Sequence, residues 1–135
     1  SEESLDLLEA HSSAVKNGRA VVIESPYPQK GTEFSMNLCK AEKWNFDVIA
    51  DPDYKSFLNK LSKYSKLVFH PATPETCCRL VLEAKMMNLE VVTNNLVGAC
   101  YEPWFSQDGK ELIKTMRNKK VDLVNIIRKI RASLK

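Results

Sequence analysis

The chain has 135 residues, a net charge of +3 and 27% charged residues. This length suits one domain with a sizeable core, but it is too short for two Rossmann-like halves. No apolar run approaches the ~20 residues that a membrane-spanning helix needs, and the acidic start is unlike a signal peptide, so we expect a cytoplasmic protein.

Short apolar runs alternate with amphipathic segments through most of the chain. Residues 1–17 are expected to be a short helix or a linker remnant from another domain, and residues 18–135 one α/β domain. Four short runs bounded by turn residues predict buried strands at 20–23, 46–50, 67–70 and 90–93. Strands that alternate with helices predict a parallel, Rossmann-like sheet with right-handed crossovers and helices on both faces.

The segments between these strands have helical spacing. Phe34, Leu38 and Ala41 recur at that spacing in the first segment. Asp53 is expected to cap the second helix. The apolar stripe of that helix is the clearest in the chain and consists of Tyr54, Phe57, Leu58, Leu61 and Tyr64. A third helix is predicted over residues 76–87.

The β-like pattern stops after the fourth strand, so we expect a truncated sheet. Residues 110–119 and 121–134 predict two further helices. Their apolar positions are Leu112, Ile113 and Met116 in the first and Val124, Ile127 and Ile130 in the second. These helices carry most of the positive charge, which indicates a solvated basic face or a peripheral contact with an anionic membrane. No nucleic acid is expected as a partner, because no aromatic residues lie between the charges.

The cysteines do not form a recognisable metal or disulfide pattern. No C-x-x-C pair occurs, and only two histidines are present to complete a zinc site. We therefore expect reduced cysteines and no bound metal. A cysteine at a helix start can act as a nucleophile, but packing as a small apolar side chain is the preferred interpretation for Cys77.

Two carboxylates eight positions apart flank the start of the third predicted helix. Glu75 follows a strand and the loop 71–74, and Glu83 lies two turns inside the helix. A helix start has unpaired N–H groups that favour anions, and open α/β sheets bind ligands beyond the carboxyl ends of their strands. One carboxylate can reach a polar ring and the other a diol, which predicts a sugar-nucleotide site.

Several features around these carboxylates occur together in one known family. They are the Glu-x7-Glu spacing, the following strand that ends in Thr93, the small-residue turn at 97–99, and a Lys30-Gly31 pair after the first strand. In this order and spacing, residues 18–102 resemble the C-terminal, donor-binding domain of retaining GT-B glycosyltransferases of the family-4, or group 1, type. The resemblance implies one half of a GT-B fold.

The resemblance also implies roles for individual residues. Glu75 would face the donor sugar near its anomeric carbon as the catalytic carboxylate, Glu83 would bind the ribose hydroxyls, and Lys30 would bind the diphosphate. Further contacts to the substrate are expected from Ser25, Thr76, Cys77, Cys78 and Gly98. The implied activity is transfer of a glycosyl group, as in hexosyltransferases, from a nucleoside-diphosphate sugar to an acceptor hydroxyl, without a metal or another cofactor.

Other interpretations remain open. An acceptor-binding domain is missing, so a separate one would be needed, and the acceptor can be a glycan, a lipid or a protein. Glu24 stands where the family places an arginine, which favours a non-catalytic binding or regulatory module that retains the fold. A receiver-like or nucleic-acid-associated α/β domain is a third class. Glu83 can instead form a surface ion pair with Arg79. Glu75 can act only by placing a negative charge favourably at the helix start. Lys30 can be a solvent-exposed lysine without a ligand.

Overall fold

A computed structural model describes residues 2–75 and 79–133 of the chain. Within these residues, four parallel strands form one sheet in the order β2-β1-β3-β4. The strands are β1 (Ala20–Ile23), β2 (Phe46–Ile49), β3 (Lys66–Val68) and β4 (Glu90–Val92). The predicted Rossmann-like α/β fold is confirmed. The last three strands end one or two residues earlier than predicted, and the loops after β3 and β4 contribute to a cleft.

Five helices accompany the sheet in the part of the chain that the structure describes. They are α1 (Glu2–His11), α2 (Thr32–Ala41), α3 (Tyr54–Ser62), α4 (Arg79–Met86) and α5 (Gly109–Ser133). The predicted start of α4 at residue 76 falls outside the described residues. No helix in the described ranges is long and apolar enough to cross a bilayer.

The sheet is covered on both faces, because successive residues of β1 point in opposite directions. Val21 belongs to the larger core cluster, to which α1, α3, α4 and α5 contribute. Ala20 and Val22 belong to a smaller cluster under α2, together with Cys39. Burial on both faces explains why the strand is a continuous apolar run rather than an alternating one.

The predicted cap and stripe of α3 are confirmed. The Asp53 carboxylate accepts a hydrogen bond from the Ser56 N–H at 2.8 Å, which satisfies one of the unpaired donors at the helix start. Leu58 and Leu61 are fully buried in the larger cluster. The local sequence therefore determines both where this helix begins and which face it buries.

The inward face of α2 differs from the prediction. Phe34 is 62% exposed, whereas Ser35 and Cys39 are buried. The Ser35 hydroxyl accepts a hydrogen bond from the His70 N–H at 3.1 Å, so a polar residue lies inside to satisfy the amide of a neighbouring loop. Phe34 is thereby left facing a cleft at the carboxyl edge of the sheet.

The prediction of two C-terminal helices is wrong, because α5 is one helix of 25 residues. No glycine or proline interrupts it after Gly109. Its first turns are held by the buried residues Leu112 and Ile113. Arg117 then binds three carboxylates of α1: it contacts Asp6 at 2.8 Å and Glu9 at 3.1 Å, and it also pairs with Glu2.

Candidate ligand-binding site at the carboxyl edge of the sheet

A cleft of about 950 Å³ lies beyond the carboxyl ends of β1, β3 and β4. Its walls are the loop after β1, the start of α2 and the loops after β3 and β4, contributing among others Ser25, Gly31, Phe34, His70 and Asn94. This is the edge at which open parallel sheets bind ligands. The volume falls within the range of small-molecule sites.

Gly31 lets the loop after β1 press against the loop after β3. Its φ of +73° is strained for other residues, and a Cβ atom there would lie 1.8 Å from the His70 carbonyl oxygen. The Ala72 N–H donates to the Gln29 carbonyl at 2.8 Å, which closes the same contact from the other side. The two loops therefore form one fixed wall of the cleft.

Lys30 and Glu75 form an ion pair across these loops. The Lys30 Nζ lies 2.5 Å from the Glu75 Oε1, and both side chains are partly buried. The Glu75 N–H donates to the Leu96 carbonyl at 2.8 Å, and the Gly98 N–H donates to the Glu75 carbonyl at 2.6 Å. The Gly98 amide is therefore engaged within the chain, and a phosphate would have to replace that bond.

Glu83 is buried within α4, with only 6% of the residue exposed. It accepts a hydrogen bond from the Tyr54 hydroxyl, and its Oε1 lies 3.4 Å from the Arg79 Nε. The Arg79 guanidinium also lies 4.9 Å from the centre of the Tyr54 ring. The predicted ion pair between Glu83 and Arg79 is therefore present, but the Glu83 carboxylate is buried and does not lie on the protein surface.

The surroundings of Glu83 change its acidity. Burial raises the pKa of its carboxyl, and this effect outweighs the hydrogen bond from Tyr54 and the charge of Arg79, which act in the opposite direction. Burial, together with the hydrogen bond to Glu83, also raises the pKa of Tyr54. Perturbed acids are frequent at functional sites, although neither Glu83 nor Tyr54 is among the residues that line the cleft.

His70 and Thr93 are polar residues of this edge for which the sequence alone predicted no role. The His70 Nε2 and the Thr93 Oγ1 are buried without a hydrogen-bond partner in the described residues. The His70 ring stacks on Phe34 with 5.6 Å between ring centres, and burial lowers the pKa of the imidazole, which favours its neutral form. A polar residue that ends an apolar run, His70 after Phe69 and Thr93 after Val92, was the signal that could have identified both.

The residues predicted for the site fall into separate groups. Ser25 lines the cleft, Lys30 is paired with Glu75, and Glu83 lies with Arg79 of α4 and Tyr54 of α3. Thr76, Cys77 and Cys78 lie outside the described residues. In the described part of the chain, no three His, Cys, Asp or Glu side chains are placed to hold a metal ion.

The fold and the site define a parallel α/β domain with a ligand-sized cleft at the carboxyl edge of its sheet. Comparisons with protein-family models, with curated proteins and with solved structures found no match.

Proposed function

We propose that the chain binds a nucleoside-diphosphate sugar in the cytoplasm and forms the donor half of a retaining glycosyltransferase. The observation that carries this proposal is the burial of Glu83 in α4, where its carboxylate accepts a hydrogen bond from a tyrosine hydroxyl. A carboxylate offers about four lone-pair positions. The positions that Tyr54 and Arg79 leave unused suit the two hydroxyls of a ribose.

Lys30 and Glu75 supply the second part of the proposed site. An ion pair already joins them at 2.5 Å. A bound diphosphate would compete with Glu75 for the ammonium group of Lys30, since phosphate oxygens accept strong charge-assisted hydrogen bonds. Glu75 would then be released toward the sugar, which is the role that the resemblance to GT-B enzymes implies for it.

The proposed reaction needs little covalent chemistry from this chain. The bond between the anomeric carbon and the diphosphate oxygen breaks, an acceptor hydroxyl forms the new bond on the same face of the sugar, and its proton passes to the departing diphosphate oxygen. Lys30 would stabilise the negative charge on the leaving diphosphate. Positioning the acceptor needs a further domain, so we expect donor binding but no turnover from this chain alone.

A titration with UDP-glucose, GDP-mannose and ADP-glucose, followed by calorimetry and NMR, tests the proposal. Saturable binding of at least one donor is expected, and Lys30→Ala should weaken it at least tenfold. Lys55→Ala is the matched control, because it removes the same charge at a side chain that is 72% exposed on α3. Absence of saturable binding, or equal losses from the two variants, would contradict the proposal.

The alternative of a non-catalytic binding module is favoured by the charges of the cleft. Glu24 and Glu33 are among its lining residues, and the charge of Lys30 is already balanced by Glu75. Such a module would bind a neutral or cationic ligand. Glu24→Gln distinguishes the two functions. If the cleft holds a diphosphate, the variant should bind a sugar nucleotide more tightly than the unmodified chain. If the chain is a non-catalytic module, the variant should bind none of the three donors.

A further inference from the structure

The last part of α5 extends away from the domain. Every residue from 118 to 133 is exposed, whereas Leu112 and Ile113 of the same helix are buried. Sixteen residues at a rise of ~1.5 Å each give a projecting segment about 24 Å long. We call residues 118–133 the projecting segment.

The projecting segment is amphipathic. At about 100° per residue, four of its large apolar side chains fall within an arc of about 100°. These are Leu123, Ile126, Ile127 and Ile130, and between 42% and 58% of each is exposed. The opposite side carries Val121, Asn125, Arg128 and Ala132. One face of the segment therefore lacks the apolar cover that the rest of the domain has.

Basic residues border this apolar arc and dominate the charge of the segment. Lys120 and Arg131 follow Ile127 around the helix, on one edge of the arc. Lys119 falls within the arc, whereas Arg128 lies about 100° beyond Ile127 on the opposite side. Residues 109–133, which form α5, contain eight Lys and Arg and two Asp and Glu, whereas residues 1–108 contain eleven and fifteen. The positive field therefore belongs to this helix and not to the domain as a whole.

This charge decides between the possible occupants of the apolar face. A second copy of the segment is disfavoured, because it would bring the same positive charge to the interface. It would also place Lys120 among the apolar residues of a coiled coil. A nucleic acid would match the charge but leave the arc of Leu and Ile uncovered. An anionic lipid bilayer satisfies both features, since it offers acyl chains to the arc and headgroup charge to the basic edge.

We propose that the projecting segment of α5 is a docking surface for an anionic membrane, on which the helix lies parallel to the bilayer with its apolar arc at the boundary between headgroups and acyl chains. This inference goes beyond donor binding and does not rest on it. It attaches the domain to the surface of the membrane without a membrane-spanning helix.

Co-sedimentation of the full chain with lipid vesicles tests this inference. We expect binding to vesicles of equal parts phosphatidylcholine and phosphatidylglycerol, little binding to phosphatidylcholine alone, and weaker binding as salt is raised. Ile127→Glu and Asn125→Glu form a matched pair, because both add one negative charge to opposite faces of the same helix. Ile127→Glu should lose at least about tenfold more affinity than Asn125→Glu, because only Ile127 enters the apolar layer.

Several outcomes would overturn the inference. Equal losses from the two variants would indicate a purely electrostatic contact, as with a nucleic acid. Self-association in analytical ultracentrifugation without vesicle binding would assign the face to a second copy. Equal binding to both vesicle types would remove the role of the basic edge. Thermal unfolding of both variants should match that of the unmodified chain, since neither position is buried, and this separates lost docking from lost folding.

Discussion

The strongest single test of the cleft geometry is Gly31→Ala. The new Cβ atom would lie 1.8 Å from the His70 carbonyl oxygen and 2.7 Å from its carbon, both of which belong to the backbone. A methyl group cannot be accommodated there without separating the two loops that form the cleft wall. The positive φ of +73° adds strain of about 1–2 kcal/mol, which is partly offset by about 0.4–1 kcal/mol from the reduced entropy of the unfolded chain.

Gly18→Ala provides the control for the backbone strain. Gly18 has a φ of +75°, yet nothing lies within 4 Å of the position that a Cβ atom would take there. We therefore expect Gly18→Ala to cost about 1 kcal/mol or less, and Gly31→Ala to cost at least about 2 kcal/mol more. Urea denaturation of the three proteins measures both values. If the two variants differ by less than ~0.5 kcal/mol, the two loops are not in contact at Gly31.

Two further changes test α3 and α4. Asp53→Ala removes the cap of α3, so the Ser56 N–H loses its hydrogen-bond partner. Urea denaturation should show that the free energy of unfolding falls by about 1 kcal/mol. No measurable fall would mean that solvent replaces the cap. For Glu83, the raised native pKa means that its contribution to stability is fully present below the unfolded pKa of about 4.3 and is lost as pH rises through the native value. The free energy of unfolding of Glu83→Gln should therefore increase relative to the unmodified chain over that interval, and a constant difference would show that burial does not shift this group.

Much of the fold follows from short-range patterns in the sequence. The apolar run at Ala20–Ile23 and the Asp53 cap depend on neighbouring residues, and both lie where they are expected. The strand order is also consistent with right-handed crossovers between parallel strands. The strand and the cap are predictable because each is determined within one strand or one helical turn of the chain.

The inner face of α2 is not predictable in this way. Counting apolar residues places Phe34 inside, but the structure buries Ser35 to hold the His70 N–H. That bond joins positions 35 residues apart. The contact between Lys30 and Glu75 and the hydrogen bond from Tyr54 to Glu83 likewise join distant segments. Spacing within the sequence can indicate such residues as candidates. Only the folded chain brings each of them into contact with its partner.

The continuity of α5 explains how its exposed part remains helical. A detached helix of this length is marginal in water, because the first turn is costly to form. Here the first turns are already formed and packed through Leu112 and Ile113, and Arg117 holds the helix to α1 where the exposed part begins. The projecting segment therefore needs only propagation, which adds one hydrogen bond per residue. A surface that binds it meets a preformed helix and need not order a flexible chain, so more of the interaction free energy appears as affinity.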